Sequence, residues 1–338
     1  IDLPSKLTIV DMEKQKNEDG YYPLLSDALV QMIKDTRRRK GHTFLFAARR
    51  GLAPLVSCVD CGHIFRSPES GSPYSLVRTR SGDMEERWFV CGVSGERIRA
   101  LDTCTECGSW RLRERGVGIQ HIYDELHKTF PHVPITLFDH LSAKTYKKAT
   151  FLRDTFYGTR GSIMLGTPMA LPYLHTPVMT SAIVNMDALL ATPTWKLDEE
   201  NVALLLALRE RTTDTVLVQT RTKDSDILKY AKQGTVEQFY TDELELRKSF
   251  NYPPFTTFIH FTWQGSPSYT ETCEKQLQET FSAYNIMTYQ SPTSPKEKPL
   301  YYGLIRINSK TWPDKKLETL IRGIDPSIRV MINPDRIV

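Results

Sequence analysis

The sequence predicts an α/β protein in which a parallel-sheet domain carries a cysteine zinc-binding insertion and is followed by a small α+β two-layer sandwich. Three observations carry that reading. Apolar runs alternate between strand and helix periods along most of the chain, two Cys-x-x-Cys-Gly units interrupt that pattern early, and a stiff Asn251-Tyr252-Pro253-Pro254-Phe255 stretch precedes a second, shorter alternation. At 338 residues, 40 % of them hydrophobic and 25 % charged, the chain can bury two or three cores.

Taken in order, Leu7 to Val10 reads as a strand. Pro23 to Arg39 reads as an amphipathic helix with Leu25, Leu29, Met32 and Ile33 on one face, and Thr43 to Ala47 as a buried strand. After the cysteine region the pattern resumes with helix Ile119 to Phe130, strand Ile135 to Phe138, helix Ser142 to Phe156 and strand Ser162 to Leu165. Strand Ala182 to Val184, helix Asp198 to Arg209 and strand Thr215 to Gln219 complete it. Such alternation builds a parallel sheet covered on both faces. Beyond Phe255, strands Thr256 to Trp263, Ile286 to Tyr289, Leu300 to Ile307 and Ile328 to Ile332 enclose helices Thr270 to Tyr284 and Asp314 to Arg322, a two-layer βαβ-βαβ order. The expected divisions are 1–54 and 116–250 for the sheet domain, 55–115 for the insertion and 251–338 for the sandwich.

Cys58-Val-Asp-Cys61-Gly62 and Cys104-Thr-Glu-Cys107-Gly108 supply four thiolates from two tight turns, which predicts one structural zinc ion. The 42 residues between Cys61 and Cys104 exceed a compact ribbon's spacing of roughly 15–20. They hold two eroded copies of the same unit, Ser67-Pro-Glu-Ser70-Gly71 and Cys91-Gly-Val-Ser94-Gly95. A hydroxyl is a poor zinc ligand at neutral pH, so a second site is expected to be dead. Cys91 and Cys273 read as core thiols rather than ligands, and His63 as a hydrogen-bonding residue rather than a substitute ligand. The longest apolar run, Val202 to Leu208, is too short to cross a bilayer, and no signal-peptide pattern opens the chain. Thiolate ligands point to a reducing, cytoplasmic setting. The chain opens at Ile1, which suggests the carboxyl-terminal part of something longer.

Net charge is only +4, but Arg37, Arg38, Arg39, Lys40, Arg49 and Arg50 precede the first knuckle with no acidic residue among them. They make a candidate phosphate-contact surface. The other reading of Arg37 to Lys40 is a solvated helix end, where cations complement the dipole. Trp88, Phe89 and Trp110 read either as a miniature core or as stacking partners for unpaired bases.

Several segments together resemble the primosomal protein N′ (PriA) family of bacterial replication-restart helicases. They are Arg49-Arg50-Gly51-Leu52-Ala53-Pro54 running into Cys58, Gly116-Val117-Gly118-Ile119-Gln120, Ile163-Met164-Leu165-Gly166-Thr167-Pro168-Met169, Glu243-Leu244-Glu245-Leu246-Arg247 with Tyr252-Pro253-Pro254-Phe255, and Ile332-Asn333-Pro334-Asp335. The resemblance covers nearly the whole chain and implies a RecA-like second helicase lobe with its zinc insertion and carboxyl-terminal domain. It further implies binding to forked or single-stranded DNA in DNA replication, with single-stranded DNA-binding protein and other primosome proteins as partners. In that family eight cysteines bind two zinc ions, the outer knuckles sharing one; Cys58, Cys61, Cys104 and Cys107 correspond to that complete site.

The departures concern catalysis. Neither a Gly-x-x-x-x-Gly-Lys-Ser/Thr phosphate loop nor an acidic Asp-Glu pair set after a strand to hold magnesium occurs in this chain, so ATP and magnesium enter only if an upstream lobe supplies them. Where the family has Gln-x-x-Gly-Arg-x-Gly-Arg, this chain has Leu206 to Asp214, with Arg209 and Arg211 out of register. Either arginine reaches a phosphate or it closes a helix-end ion pair. Gly166 and Thr167 survive from the preceding motif, but Pro168 replaces its glutamine. The expectation is a DNA-binding chain without ATPase activity of its own. The alternatives are a full-length ATP-dependent 3′-5′ helicase and a zinc-ribbon adaptor for a protein partner; a zinc hydrolase is weakest, because four thiolates leave no position for water.

Overall fold

A computed structural model describes residues 3–15, 22–49, 51–68, 71–81, 84–92, 95–191, 194–291, 294, 297–335 and 337. Its contacts divide the chain into two compact units, one of Ile1–Phe65, Pro73–Thr192 and Asp198–Val236, the other of Arg66–Ser72, Pro193–Leu197 and Glu237–Val338.

The first unit is built on β1 (Lys6–Asp11), α1 (Asp27–Arg38) and β2 (Thr43–Phe46). The insertion follows with β3 (Leu55–Cys58), β4 (Tyr74–Ser81), β5 (Met84–Cys91), β6 (Arg97–Arg99) and β7 (Leu112–Arg115). The chain then returns through α2 (Ile119–Thr129), β8 (Ile135–Phe138), α3 (Tyr146–Gly158), β9 (Ile163–Gly166), β10 (Val178–Ile183), α4 (Asp187–Leu190), α5 (Leu197–Glu210), β11 (Thr212–Thr220) and α6 (Asp226–Gln233). Six strands form one sheet in the order β1-β11-β10-β2-β9-β8, every pairing parallel. The alternation read from the sequence is therefore realised as a parallel α/β sheet.

Strands β2 and β9 are buried along their whole length, which is why they lack polar alternation. Leu45 pairs with Ala182 on one side and Leu165 on the other, and these side chains meet Leu29 and Ile33 of α1 and Ile122 and Leu126 of α2 in a single core. Ser26 starts α1 by accepting the Leu29 N–H at 3.2 Å. Buried Gln219 pins the segment before that cap. Its amide donates to the Leu24 and Val184 carbonyls at 2.9 and 2.8 Å, and its oxygen accepts the Ser26 N–H at 2.8 Å. The carboxyl-terminal ends of β10 and β11 are thereby tied to the start of α1.

Within the insertion, β4, β5 and β6 make an antiparallel sheet, and β3 pairs antiparallel with β7. Its small core gathers Val56, Phe65, Tyr74, Leu76, Phe89 and Cys91. Cys91 is a core thiol, as expected.

The second unit takes in most of α7 (Val236–Ser249), which the sequence pattern assigned to the sheet domain. A physical reason lies in Arg247, which donates to Glu243 at 2.7 Å and holds its guanidinium 5.0 Å from the Trp195 ring, all within this unit. The remaining elements are β12 (Thr256–Gln264), α8 (Pro267–Thr280), β13 (Met287–Gln290), β14 (Leu300–Asn308), α9 (Lys315–Arg322) and β15 (Arg329–Ile332). The sheet order β13-β14-β12-β15 is antiparallel throughout, so β14 separates β12 from β13 and the two βαβ halves interleave. Ile259, Phe261 and Trp263 pack against Cys273, Leu277, Phe281 and Leu317. Cys273 is thus a core thiol too.

Candidate metal centre and nucleic-acid surface

Cys58 ends β3, and the 104–108 turn leads into β7; the β3–β7 ribbon, with Cys58 opposite Leu112, brings the two knuckles together. All four sulfurs lie within 4.8 Å of one another, with Cys58 to Cys107 and Cys61 to Cys104 each at 3.6 Å. Tetrahedral coordination with Zn–S bonds of about 2.3 Å requires sulfur separations of about 3.8 Å, so the donor set fits that ion in kind and spacing. Cys58 and Cys104 are buried, while Cys61 and Cys107 are exposed.

Each knuckle is folded by its main chain. The Cys58 N–H donates to the His63 carbonyl at 2.8 Å and the Gly62 N–H returns to the Cys58 carbonyl at 3.2 Å; Cys104 with Ser109 and Gly108 with Cys104 repeat these bonds at 2.8 and 2.9 Å. Gly62 and Gly108 sit at φ +75° and +72°, the left-handed region that a side chain opposes. Arg111 pairs with Asp60 at 2.7 Å across the two turns, and Ser109 bonds the same carboxylate. His63 lies beside Thr105 at 3.4 Å and Glu106 at 3.9 Å, outside the sulfur cluster.

The thiols titrate apart. Cys58 is lowered to about 7, first by the Cys61 N–H at its sulfur. Cys61 is pushed up to about 12: the His63 N–H draws it down, but desolvation and the other three sulfurs outweigh that pull. Cys107 is raised as well, the Ser109 N–H working against desolvation, Cys58 and Cys104. Four sulfurs this close oppose one another's ionisation, and a divalent cation among them reverses that opposition.

The eroded units keep the same main-chain turns. Ser67 N–H donates to Ser72 at 2.9 Å and Gly71 to Ser67 at 2.8 Å; Cys91 N–H donates to Glu96 at 2.9 Å and Gly95 to Cys91 at 3.1 Å. Gly71 and Gly95 have φ +67° and +76°. Ser70 and Ser94 lie outside the described residues. Only the four-cysteine group, among the described residues, clusters as a metal site.

Among the described residues, the basic candidates fall into two groups. Arg37 and Arg38 close α1, Arg39 caps it and Lys40 follows, all ahead of β2 and therefore at the amino-terminal edge of the sheet. Arg38 pairs with Asp35 at 3.1 Å, Arg39 with Asp214, and Arg37 reaches the His132 carbonyl at 3.4 Å, which matches the helix-end reading. Arg49 follows β2 at the opposite edge, where its guanidinium donates to the Ala188 carbonyl at 3.0 Å. Strand β2 separates the groups. Arg50 lies outside the described residues.

Gly166 and Thr167 are likewise separated from Arg209 and Arg211. Gly166 ends β9 at the carboxyl edge, where an added Cβ would meet Ala170 at 2.5 Å, and buried Thr167 donates its N–H to Phe138. Arg209 and Arg211 lie at the end of α5, at the other edge. Arg209 is buried, and its partners among the described residues are carbonyls rather than a carboxylate. Its guanidinium donates to Ser5 at 2.7 Å, Ala231 at 2.6 Å and Lys232 at 3.2 Å. Arg211 donates to Ala207 at 3.0 Å and stands 3.9 Å from Glu210. Of the aromatic candidates, Phe89 is core, Trp110 is 78 % exposed, and Trp88 lies under Arg97 at 4.1 Å and Arg99 at 5.8 Å.

Sequence reasoning missed one grouping. Asp187 accepts from Thr220 at 2.7 Å and from the main chain and side chain of Arg221 at 3.1 and 3.2 Å, beside Asn185 and Tyr22 in a crevice at the carboxyl ends of the strands. No spacing motif marks these residues; the available signal is that Asn185 and Arg221 each follow a predicted strand.

No family model matches the chain. Its sequence is 30 % identical over 263 residues to the replication restart protein PriA of Rickettsia prowazekii, covering 76 % of this chain and 39 % of that protein. It is 27 % identical over 290 residues to PriA of Haemophilus influenzae, covering 83 % and 38 %. The chain is a relative of the PriA replication restart proteins. PriA of Rickettsia felis matches at 29 % over 273 residues, and the chain spans about two fifths of the length of these PriA proteins. The extent agrees with the carboxyl-terminal half of PriA implied by the motifs.

Proposed function

We propose that this chain is the zinc-binding, DNA-contacting carboxyl-terminal part of a PriA-like replication restart protein. The observation that carries the reading is similarity to PriA proteins over about four fifths of the chain, supported by a four-sulfur group with zinc-like spacing. One zinc ion held by Cys58, Cys61, Cys104 and Cys107 would crosslink β3 to β7 and order the insertion, a structural rather than catalytic part. Forked or single-stranded DNA is the ligand, primosome proteins including single-stranded DNA-binding protein are the partners, and the cytoplasm is the setting. No described helix is long and apolar enough to cross a membrane.

The chain alone does not turn over ATP in this reading. It carries no phosphate loop, and Arg209 is committed to three carbonyls, so hydrolysis in a longer protein rests on an upstream lobe. Two measurements test the proposal. Elemental analysis should return one zinc per chain, and two would defeat the single-site reading. Anisotropy titrations across a salt series should show sequence-independent binding that favours fork or single strand over blunt duplex. Six engaged phosphates would give a log-log slope of roughly −4 to −5; with Arg49 at one edge of the sheet and Arg37 to Lys40 at the other, a shallower slope is expected. Neutralising Arg49 and Arg50 should weaken every DNA by a similar factor. No binding at low salt would transfer the case to a protein adaptor.

A further inference from the structure

We infer that the crevice at the carboxyl ends of β1, β10 and β11 receives one unpaired base of a single strand, an inference that rests on the DNA-binding reading above. Open α/β sheets bind ligands outside the carboxyl ends of their strands. This crevice has a volume of about 500 Å³, within the range of small-ligand pockets.

Its chemistry selects the ligand. Tyr22 is 39 % exposed, its hydroxyl is tied to Glu13 at 3.1 Å, and the Arg221 guanidinium carbon stands 5.9 Å from the centre of its ring. Ring and guanidinium together make a platform on which a flat, polarisable group stacks. Asn185 commits its amide oxygen to the Ala188 N–H at 3.1 Å, which leaves the amide donors to meet an acceptor. His121 and Glu125 line the crevice from α2 and add donor and acceptor capacity. The formal charges are matched locally: Arg221 pairs with Asp187 at 3.2 Å and Glu125 with Lys128 at 3.5 Å. A phosphate gains little from such a balanced wall, whereas a neutral planar ring with hydrogen-bonding edges suits it. Arg49, bonded to Ala188 next to Asp187, brings a cation to the same edge for the phosphate of the same nucleotide.

The experiment uses the full chain and a short single strand carrying 2-aminopurine, alongside a strand of equal length with abasic positions. The expected result is a change of 2-aminopurine emission on binding that Tyr22→Ala removes, with affinity falling roughly fivefold or more and the salt slope unchanged. The abasic strand should bind the unaltered chain as weakly as the ordinary strand binds Tyr22→Ala, and its weakness relative to the ordinary strand does not depend on any variant folding. Salt-sensitive binding that is equal for both strands and indifferent to Tyr22→Ala overturns the base pocket and leaves the DNA reading standing. Absence of binding to every strand overturns both.

Discussion

The outer and eroded knuckles differ in their side chains and hardly at all in their main chains. At Cys58, Ser67, Cys91 and Cys104 the same N–H bonds a carbonyl five residues on, the glycine four residues on returns to the first carbonyl, and that glycine is left-handed. The turn is therefore specified by glycine and local hydrogen bonds, and the capacity to hold a metal is a separate property added by the clustered thiols. The second can be absent while the first is kept, as at Ser67 and Cys91. At Arg209 too the side chain serves the fold, its guanidinium donating to the carbonyls of Ser5 and Ala231.

The largest expected effect tests the sulfur half of this contrast. Cys58→Ser or Cys104→Ser should abolish stoichiometric zinc and expose the β3–β7 ribbon to proteolysis and amide exchange, whereas Ser67→Ala should alter neither. Retention of a full equivalent of zinc in both cysteine variants would break the comparison.

At Arg209 the expected effect is smaller. Arg209→Met strands carbonyls of Ser5, Ala231 and Lys232 and should lower stability by roughly 2–4 kcal/mol in urea unfolding. A neutral result would mean that the guanidinium is not holding these segments together.

The glycines sharpen the contrast most finely. An added Cβ at Gly62 or Gly95 meets nothing within 4 Å, so Ala at either position costs only its left-handed backbone, roughly 1–2 kcal/mol. Equal shifts in unfolding midpoint are expected for Gly62→Ala and Gly95→Ala. A much larger loss at Gly62, accompanied by loss of zinc, would show that the metal, not the glycine, dictates the turn.

Much of this was legible in the sequence because it is local. Two Cys-x-x-Cys-Gly units determine four clustered sulfurs once their strands pair, and the periods of 2 and 3.6 determine where strands and helices fall. Cys91 and Cys273 read as core thiols for the same reason, lying in apolar surroundings.

Tertiary structure alone decided what those elements bring together. Lys40 and Arg49 stand close in the sequence, yet β2 runs between them, so a basic stretch that reads as one surface is divided between two edges of a sheet. An extended strand carries its ends apart by about 3.3 Å per residue, and its position inside a parallel sheet places those ends on opposite sides of the layer. The interleaving of β14 between β12 and β13, the three carbonyls around Arg209, and the meeting of Tyr22, Asn185 and Arg221 depend in the same way on strand order and direction. Those are fixed by which apolar faces bury together across long separations in the chain, a property of the whole packed core rather than of any local stretch.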